Sequence, residues 1–251
     1  MALINVNFFS EALGMQTEAL VILPQKSVLG QIGIESKADN AAYKTLYLLH
    51  GLSDDHTIWM RRTSIERYAA KYGICVVMPC AGRSFYCDMK YGPAYYTYIA
   101  KELPRRIREF FRVSDKREDT FVAGLSMGGY GALKLALKEP ETFCAGAGLS
   151  PSCSLKNREF DGTMLSIFGE GQPPKEEELS YLAEMQKDNP LKPRIYMAIG
   201  TNDFLYENSR DLCAQLKKDY DFTYYEEPGA DHSWDFWDRQ IQEVLKWLLG
   251  E

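Results

Sequence analysis

Residues Thr120–Lys134 read TFVAGLSMGGYGALK. The apolar run Thr120–Ala123 has the composition of a short buried strand. A serine flanked by glycines follows, and then a helical run. Gly124-Leu125-Ser126-Met127-Gly128 fits G-x-S-x-G, the turn that lifts a serine out of a parallel sheet. The spacing has a mechanical origin. A strand that reverses into a helix within a few residues brings their backbones nearly into contact, so a Cβ two residues to either side of Ser126 would clash. The turn also leaves the Met127 N–H at a helix N-terminus, facing whatever Ser126 meets. The pentapeptide alone also fits a glycine-rich turn with a serine N-cap. A phosphate-binding loop fits poorly, because Tyr130 stands where lysine is required.

Outward from this turn, the chain alternates. Leu3–Phe9 and Glu18–Leu23 read as antiparallel edge strands, with Gly14 near their turn. Thr45–Leu49 is a buried strand ending in His50-Gly51, and Ile74–Met78 is another, after a helix over Ser64–Tyr72. Ile99, Leu103, Ile107 and Phe111 recur at steps of four and predict a helix over Tyr95–Phe111, with a kink or a break at Pro104. Further strands are expected at Phe143–Leu149, Ile195–Ile199 and Phe222–Glu226. Helices are expected at Leu179–Gln186 and Tyr206–Asp219, and over the last residues from Trp234. The pattern predicts an α/β fold: a mostly parallel sheet of about eight strands with helices on both faces, residues 1–251 forming one domain. Ser152–Pro193 reads as a small insertion forming a rim over the site, and Glu176-Glu177-Glu178 within it as a solvated helix start. Ligands are expected beyond the carboxyl ends of the strands.

The 251 residues suit one domain with a sizeable core. A net charge of −6 gives no reason to expect nucleic acid or an anionic membrane as partner. No basic leader precedes a long apolar run, and no stretch reaches membrane-spanning length, so the expected location is cytoplasmic. The 6 cysteines form no C-x-x-C pair and read as reduced thiols. No spacing of histidines or carboxylates suggests a metal, and no cofactor is expected. A homo-oligomer is compatible with the chain.

A serine nucleophile needs a base, and the chain has 3 histidines, His50, His56 and His232. His232 lies in the loop PGADHSW, after a strand and on the sheet edge where Ser126 emerges. An imidazole there could take the hydroxyl proton and return it to a leaving group. A carboxylate must fix its tautomer. Asp203, in the loop GTND after Ile195–Ile199, is the candidate; Asp231 competes as the neighbour of His232, although adjacent side chains rarely aim at each other. The order Ser126, Asp203, His232 is that of α/β-hydrolases. His50-Gly51-Leu52 follows the strand Thr45–Leu49, and there the Leu52 N–H could join Met127 N–H as a second oxyanion donor. His50 then reads as structural. Trp59, Tyr91 and Trp234 are candidates to line a substrate pocket, although any single one of them is more often core or helix-packing surface.

Four motifs together, HGLSDDHTIW, GLSMGGYGALKLAL, GTNDFLY and DHSWDFW, resemble the esterase D-like branch of the α/β-hydrolases, and within it the bacterial tributyrin esterases. The resemblance spans nearly the whole chain. It implies a serine carboxylesterase for short-chain acyl esters, with nucleophile Ser126, acid Asp203, base His232 and oxyanion amides Leu52 and Met127. The same branch holds S-formylglutathione hydrolases, acetyl-xylan and feruloyl esterases and mycolyl transferases. Acetyl-xylan or feruloyl ester hydrolysis, thioester hydrolysis, acyl transfer and a non-catalytic binding module are therefore the competing readings. S-formylglutathione hydrolases carry a cysteine soon after H-G-L; here Ser53 and Asp54 stand there.

Overall fold

The computed structural model describes residues 1–26, 32, 37, 41–156 and 162–250. Among them, eight strands form a single sheet in the order β1-β2-β4-β3-β5-β6-β7-β8. They are β1 (Ala2–Ser10), β2 (Met15–Leu23), β3 (Thr45–Leu49), β4 (Cys75–Pro79), β5 (Thr120–Leu125), β6 (Ala145–Leu149), β7 (Arg194–Gly200) and β8 (Phe222–Glu227). The pairs β1–β2 and β2–β4 are antiparallel and the remaining pairs are parallel. Only β1 and β8 are edges, which corrects one expectation. Glu18–Leu23 belongs to a strand held between β1 and β4, because Ala19, Val21 and Ile22 are too apolar to leave facing water.

β3 to β6 are buried along their whole length, as strands covered on both faces must be. Alternate side chains feed two cores. Leu46, Leu48, Val76 and Met78 pack with the helices Ile65–Tyr72 and Trp234–Leu249. Tyr47, Leu49, Cys75 and Val77 pack on the other face with Leu103, Ile107, Leu133 and Leu212. No helix among the described residues is long and apolar enough to cross a membrane.

Two local readings are corrected. The segment expected as a helix kinked or broken at Pro104 comprises a single turn Tyr95–Thr97, a wider π-helical turn Tyr98–Glu102 and an α-helix Leu103–Phe110. Pro104 has no N–H, and the widened turn just before it makes room for its ring. That turn delivers the Glu102 carboxylate to the β1–β2 hairpin, where it accepts from Ser10 Oγ (2.6 Å), Glu11 N (3.0 Å) and Ala12 N (3.1 Å).

Of the three acids expected as a solvated helix start, Glu176 is exposed, whereas Glu177 and Glu178 are instead structural. Lys134 is fully buried, and a buried ammonium needs a carboxylate and full hydrogen bonding. Glu177 forms its ion pair and also meets Lys138 (3.3 Å), while the Tyr86 carbonyl accepts from Lys134 Nζ (2.9 Å). Glu178, also buried, accepts from Ser154 Oγ (2.7 Å) and Leu155 N (3.2 Å). The insertion is thereby drawn onto the helices Met127–Lys138 and Tyr206–Asp219. Residues 157–161 of it lie outside the described residues.

Parallel strands in register place their following loops together. Leu49 pairs with Gly124, Leu125 with Leu149, and Gly200 with Glu227. The loops after β3, β5, β7 and β8 thus share one edge of the sheet.

Candidate active site

Ser126 has φ 53° and ψ −115°, a conformation costly for a residue with a Cβ. It persists because the turn is fixed from both sides. A Cβ on Gly124 would lie 2.4 Å from the Gly128 carbonyl oxygen, and one on Gly128 would lie 2.5 Å from the Leu49 carbonyl oxygen. Ser126 N–H donates to Leu149 O (2.9 Å), and its carbonyl accepts from Tyr130 N (3.0 Å). The turn pushes Oγ clear of the sheet.

The loops after β7 and β8 bring two further side chains to it. Ser126 Oγ lies 3.0 Å from His232 Nε2, and His232 Nδ1 lies 2.8 Å from Asp203 Oδ2. Nδ1–H donating to the carboxylate leaves the Nε2 lone pair for the serine hydroxyl. Asp203 is 4% exposed, and its Oδ1 accepts from Leu205 N (2.8 Å). Burial alone would raise the Asp203 carboxyl. The hydrogen bonds from His232, Leu205 N–H and Ser150 outweigh it and hold the group below the usual carboxylate range. Asp231, the competing acid, is exposed. The His232 ring is flanked by Phe204 at 4.5 Å and by the edge of Trp237 at 4.9 Å.

Leu52 and Met127 line the same cleft as Ser126. Among the described residues, neither backbone N–H is spent in a turn, loop or cap hydrogen bond. His50 sets the direction of the first. Ala81 N–H donates to its Nε2 (2.9 Å), so Nδ1 carries the proton and donates to Gly51 O (2.7 Å). In a trans peptide the Gly51 carbonyl and the Leu52 N–H point opposite ways, so a carbonyl pinned toward His50 aims that N–H away from it. Burial pushes the His50 pKa down, which keeps this pattern of one donor and one acceptor.

The cleft has a volume of about 490 Å³ and includes Phe85, Phe204, Leu205 and Trp234 among its walls. Two expected pocket residues are not there. Trp59 is 1% exposed, donates from Nε1 to Leu49 O (3.0 Å) and braces Trp234 edge-on at 5.1 Å. It is a core residue behind the wall, because its indole N–H finds a partner in the interior. Tyr91 is exposed and bonds from its backbone N–H to Ser166 O (3.0 Å), on the insertion. No described residue of 152–193 lines the cleft; the segment starts against the nucleophile turn, where Ser152 N–H donates to Ser126 O (3.3 Å), and the buried partners of Glu177 and Glu178 hold its later part on the neighbouring helices.

The sequence reading missed Ser150 and Trp237. Ser150 directly follows β6, is fully buried and has φ 45°. Its hydroxyl donates to Asp203 and accepts from Trp237 Nε1 (3.1 Å). The only sequence signal was its place at the carboxyl end of the strand between those of Ser126 and Asp203. Ser150→Ala is expected to lower kcat/KM about tenfold, the effect of one hydrogen bond to a charged group. Steady-state kinetics and thermal midpoints of both proteins check this; an unchanged kcat/KM assigns Ser150 to packing alone.

The doubly covered sheet and the serine on its strand–helix turn, with histidine and carboxylate on later loops, define an α/β-hydrolase. A family model described as putative esterase matches residues 10–248, and the chain belongs to that family. It is 31% identical over 267 residues to an acetyl esterase of Caldicellulosiruptor saccharolyticus, covering 99% of this chain and 98% of the relative. Among solved structures it is similar to FphF, a fluorophosphonate-binding serine hydrolase of Staphylococcus aureus, at 34% identity and a TM-score of 0.89, covering 100% and 99% of the two chains. It is also similar to the S-formylglutathione hydrolase FrmB of Staphylococcus aureus, at 34% identity and a TM-score of 0.84, covering 99% of each.

Proposed function

We propose that this protein is a serine carboxylesterase that hydrolyses short-chain acyl esters through an acyl-enzyme intermediate. The observation that carries the reading is the hydrogen-bonded chain from Ser126 Oγ through His232 to Asp203, at 3.0 and 2.8 Å, opening on an apolar cleft. His232 Nε2 takes the hydroxyl proton as Ser126 Oγ attacks the ester carbonyl carbon. The charge on the carbonyl oxygen is met by Leu52 N–H and Met127 N–H. As the tetrahedral intermediate collapses, the bond to the alkoxy oxygen breaks and His232 returns the proton to the departing alcohol. Water repeats the sequence on the acyl-serine and releases the acid.

The cleft volume and its apolar walls favour small acyl groups, and the acetyl esterase relative supports the same range. Each methylene that fits adds up to about 0.8 kcal/mol, and the first that does not fit costs more than it adds. A p-nitrophenyl ester series should therefore show kcat/KM peaking between acetyl and butyryl and falling steeply by octanoyl, with no jump when substrate forms micelles. Preference for decanoyl esters, or interfacial activation, would sink the short-chain assignment.

A further inference from the structure

Asp54 is the one carboxylate among the described residues that line the cleft. It is fixed there: its carboxylate accepts from Gly51 N–H, and its own N–H donates to Gly51 O (3.3 Å). The charged or titratable groups around it are His50, Asp55 and Arg62, and none forms an ion pair with it. Burial holds His50 neutral, and Asp55, exposed, is bonded to Thr57 N and Oγ1 (2.8 and 2.6 Å). A carboxylate without an ion-pair partner among these groups therefore faces a largely apolar cleft; burial raises its pKa above the usual carboxylate value, and the Gly51 N–H works against that rise.

Aromatic rings share that cleft. Phe204 is 75% exposed, with its ring set against His232. Trp234 meets Trp59 and Trp237 edge-on, and Phe85 and Trp237 line the cleft too. Ring faces together with a fixed carboxylate are the chemistry that recognises an ammonium group. A carboxylate-bearing substrate would meet the same Asp54 as repulsion. We propose that this cleft selects esters whose far end carries a quaternary or protonated ammonium group and disfavours those carrying a carboxylate, with Asp54 setting the preference. The inference rests on the esterase reading above.

The test compares butyrylcholine with its uncharged carbon isostere, neohexyl butyrate, and with the O-butyryl ester of a hydroxycarboxylate. The wild-type enzyme should favour the cation over the isostere in kcat/KM by about tenfold, the scale of one partly screened charge pair, and rank the anion last. Asp54→Asn keeps an acceptor for Gly51 N–H, and there the three values should converge. Added salt should narrow the wild-type ratio in the same direction. Equal values for cation and isostere in the wild type, or a ratio that Asp54→Asn leaves unchanged, overturn the proposal. Calorimetric binding of the same three intact esters to Ser126→Ala reads the selectivity without turnover. Failure of the esterase reading, in which no ester is cleaved, is thus separated from failure of charge selection, in which the esters bind alike.

Discussion

Ser126→Ala abolishes ester hydrolysis while the fold stays intact, with a loss in kcat that should approach roughly 10⁶-fold, as in well-studied serine triads. The size of the effect follows from position. Ser126 Oγ is the one hydroxyl that combines the His232 Nε2 contact at 3.0 Å with exposure to the cleft. Alanine removes that oxygen and nothing else the turn depends on. The hydrogen bonds that fix the turn come from the Ser126 backbone, to Leu149 O and from Tyr130 N, and the close approaches belong to Gly124 and Gly128. The thermal midpoint should therefore change little. The check has two readouts: turnover of p-nitrophenyl butyrate, and labelling by a fluorophosphonate probe, which should modify wild type at Ser126 and leave the variant unmodified. Near-normal turnover in the variant, or labelling at another residue, would end the serine-esterase reading.

Asp203→Asn should lower kcat on the order of 10⁴-fold, by forcing the wrong histidine tautomer. The hydrogen bonds say how. Leu205 N–H needs an acceptor at the oxygen it now meets, Oδ1 (2.8 Å). An asparagine satisfying it turns its amide NH₂ toward His232 Nδ1, where Oδ2 now accepts. Nδ1 must then accept a hydrogen bond, so the ring proton moves to Nε2, and Nε2 can no longer take the proton of Ser126. Asp231→Asn, on an exposed side chain one residue from His232, should cost no more than a few-fold, as surface substitutions away from such networks do. Kinetics of the two variants side by side settle the choice of acid; the opposite ranking would assign the role to Asp231.

The family, the sheet and the three side chains that the fold brings together, Ser126, His232 and Asp203, were legible in the sequence because each rests on a local constraint. G-x-S-x-G is a short-range steric rule, and Gly124 and Gly128 are required by contacts only four residues apart or with the adjoining strand. Buried parallel strands read as continuous apolar runs, and β3, β4, β5 and β6 were found that way. The alternation of strands and helices then placed the loops bearing Asp203 and His232 on the edge where Ser126 emerges.

What only the tertiary structure decided involves partners far apart in the chain. That Glu177 reaches the buried Lys134 is invisible in a run of three acids, since a solvated helix start and a buried ion pair have the same local sequence. For Trp59 the sequence left both pocket and core open; which side of the wall an indole occupies depends on where its N–H finds an acceptor, here Leu49 O. Ser150 and Trp237, separated by 87 positions, meet only because β6 ends beside the start of the last helix. Asp54 entered the sequence reading only as a departure from the cysteine of S-formylglutathione hydrolases; the folding of the loop after β3 sets its carboxylate against Gly51 N–H in a residue that lines the cleft. Local sterics and periodicity are written residue by residue, whereas a side chain's partner across the fold is fixed only once both elements are packed.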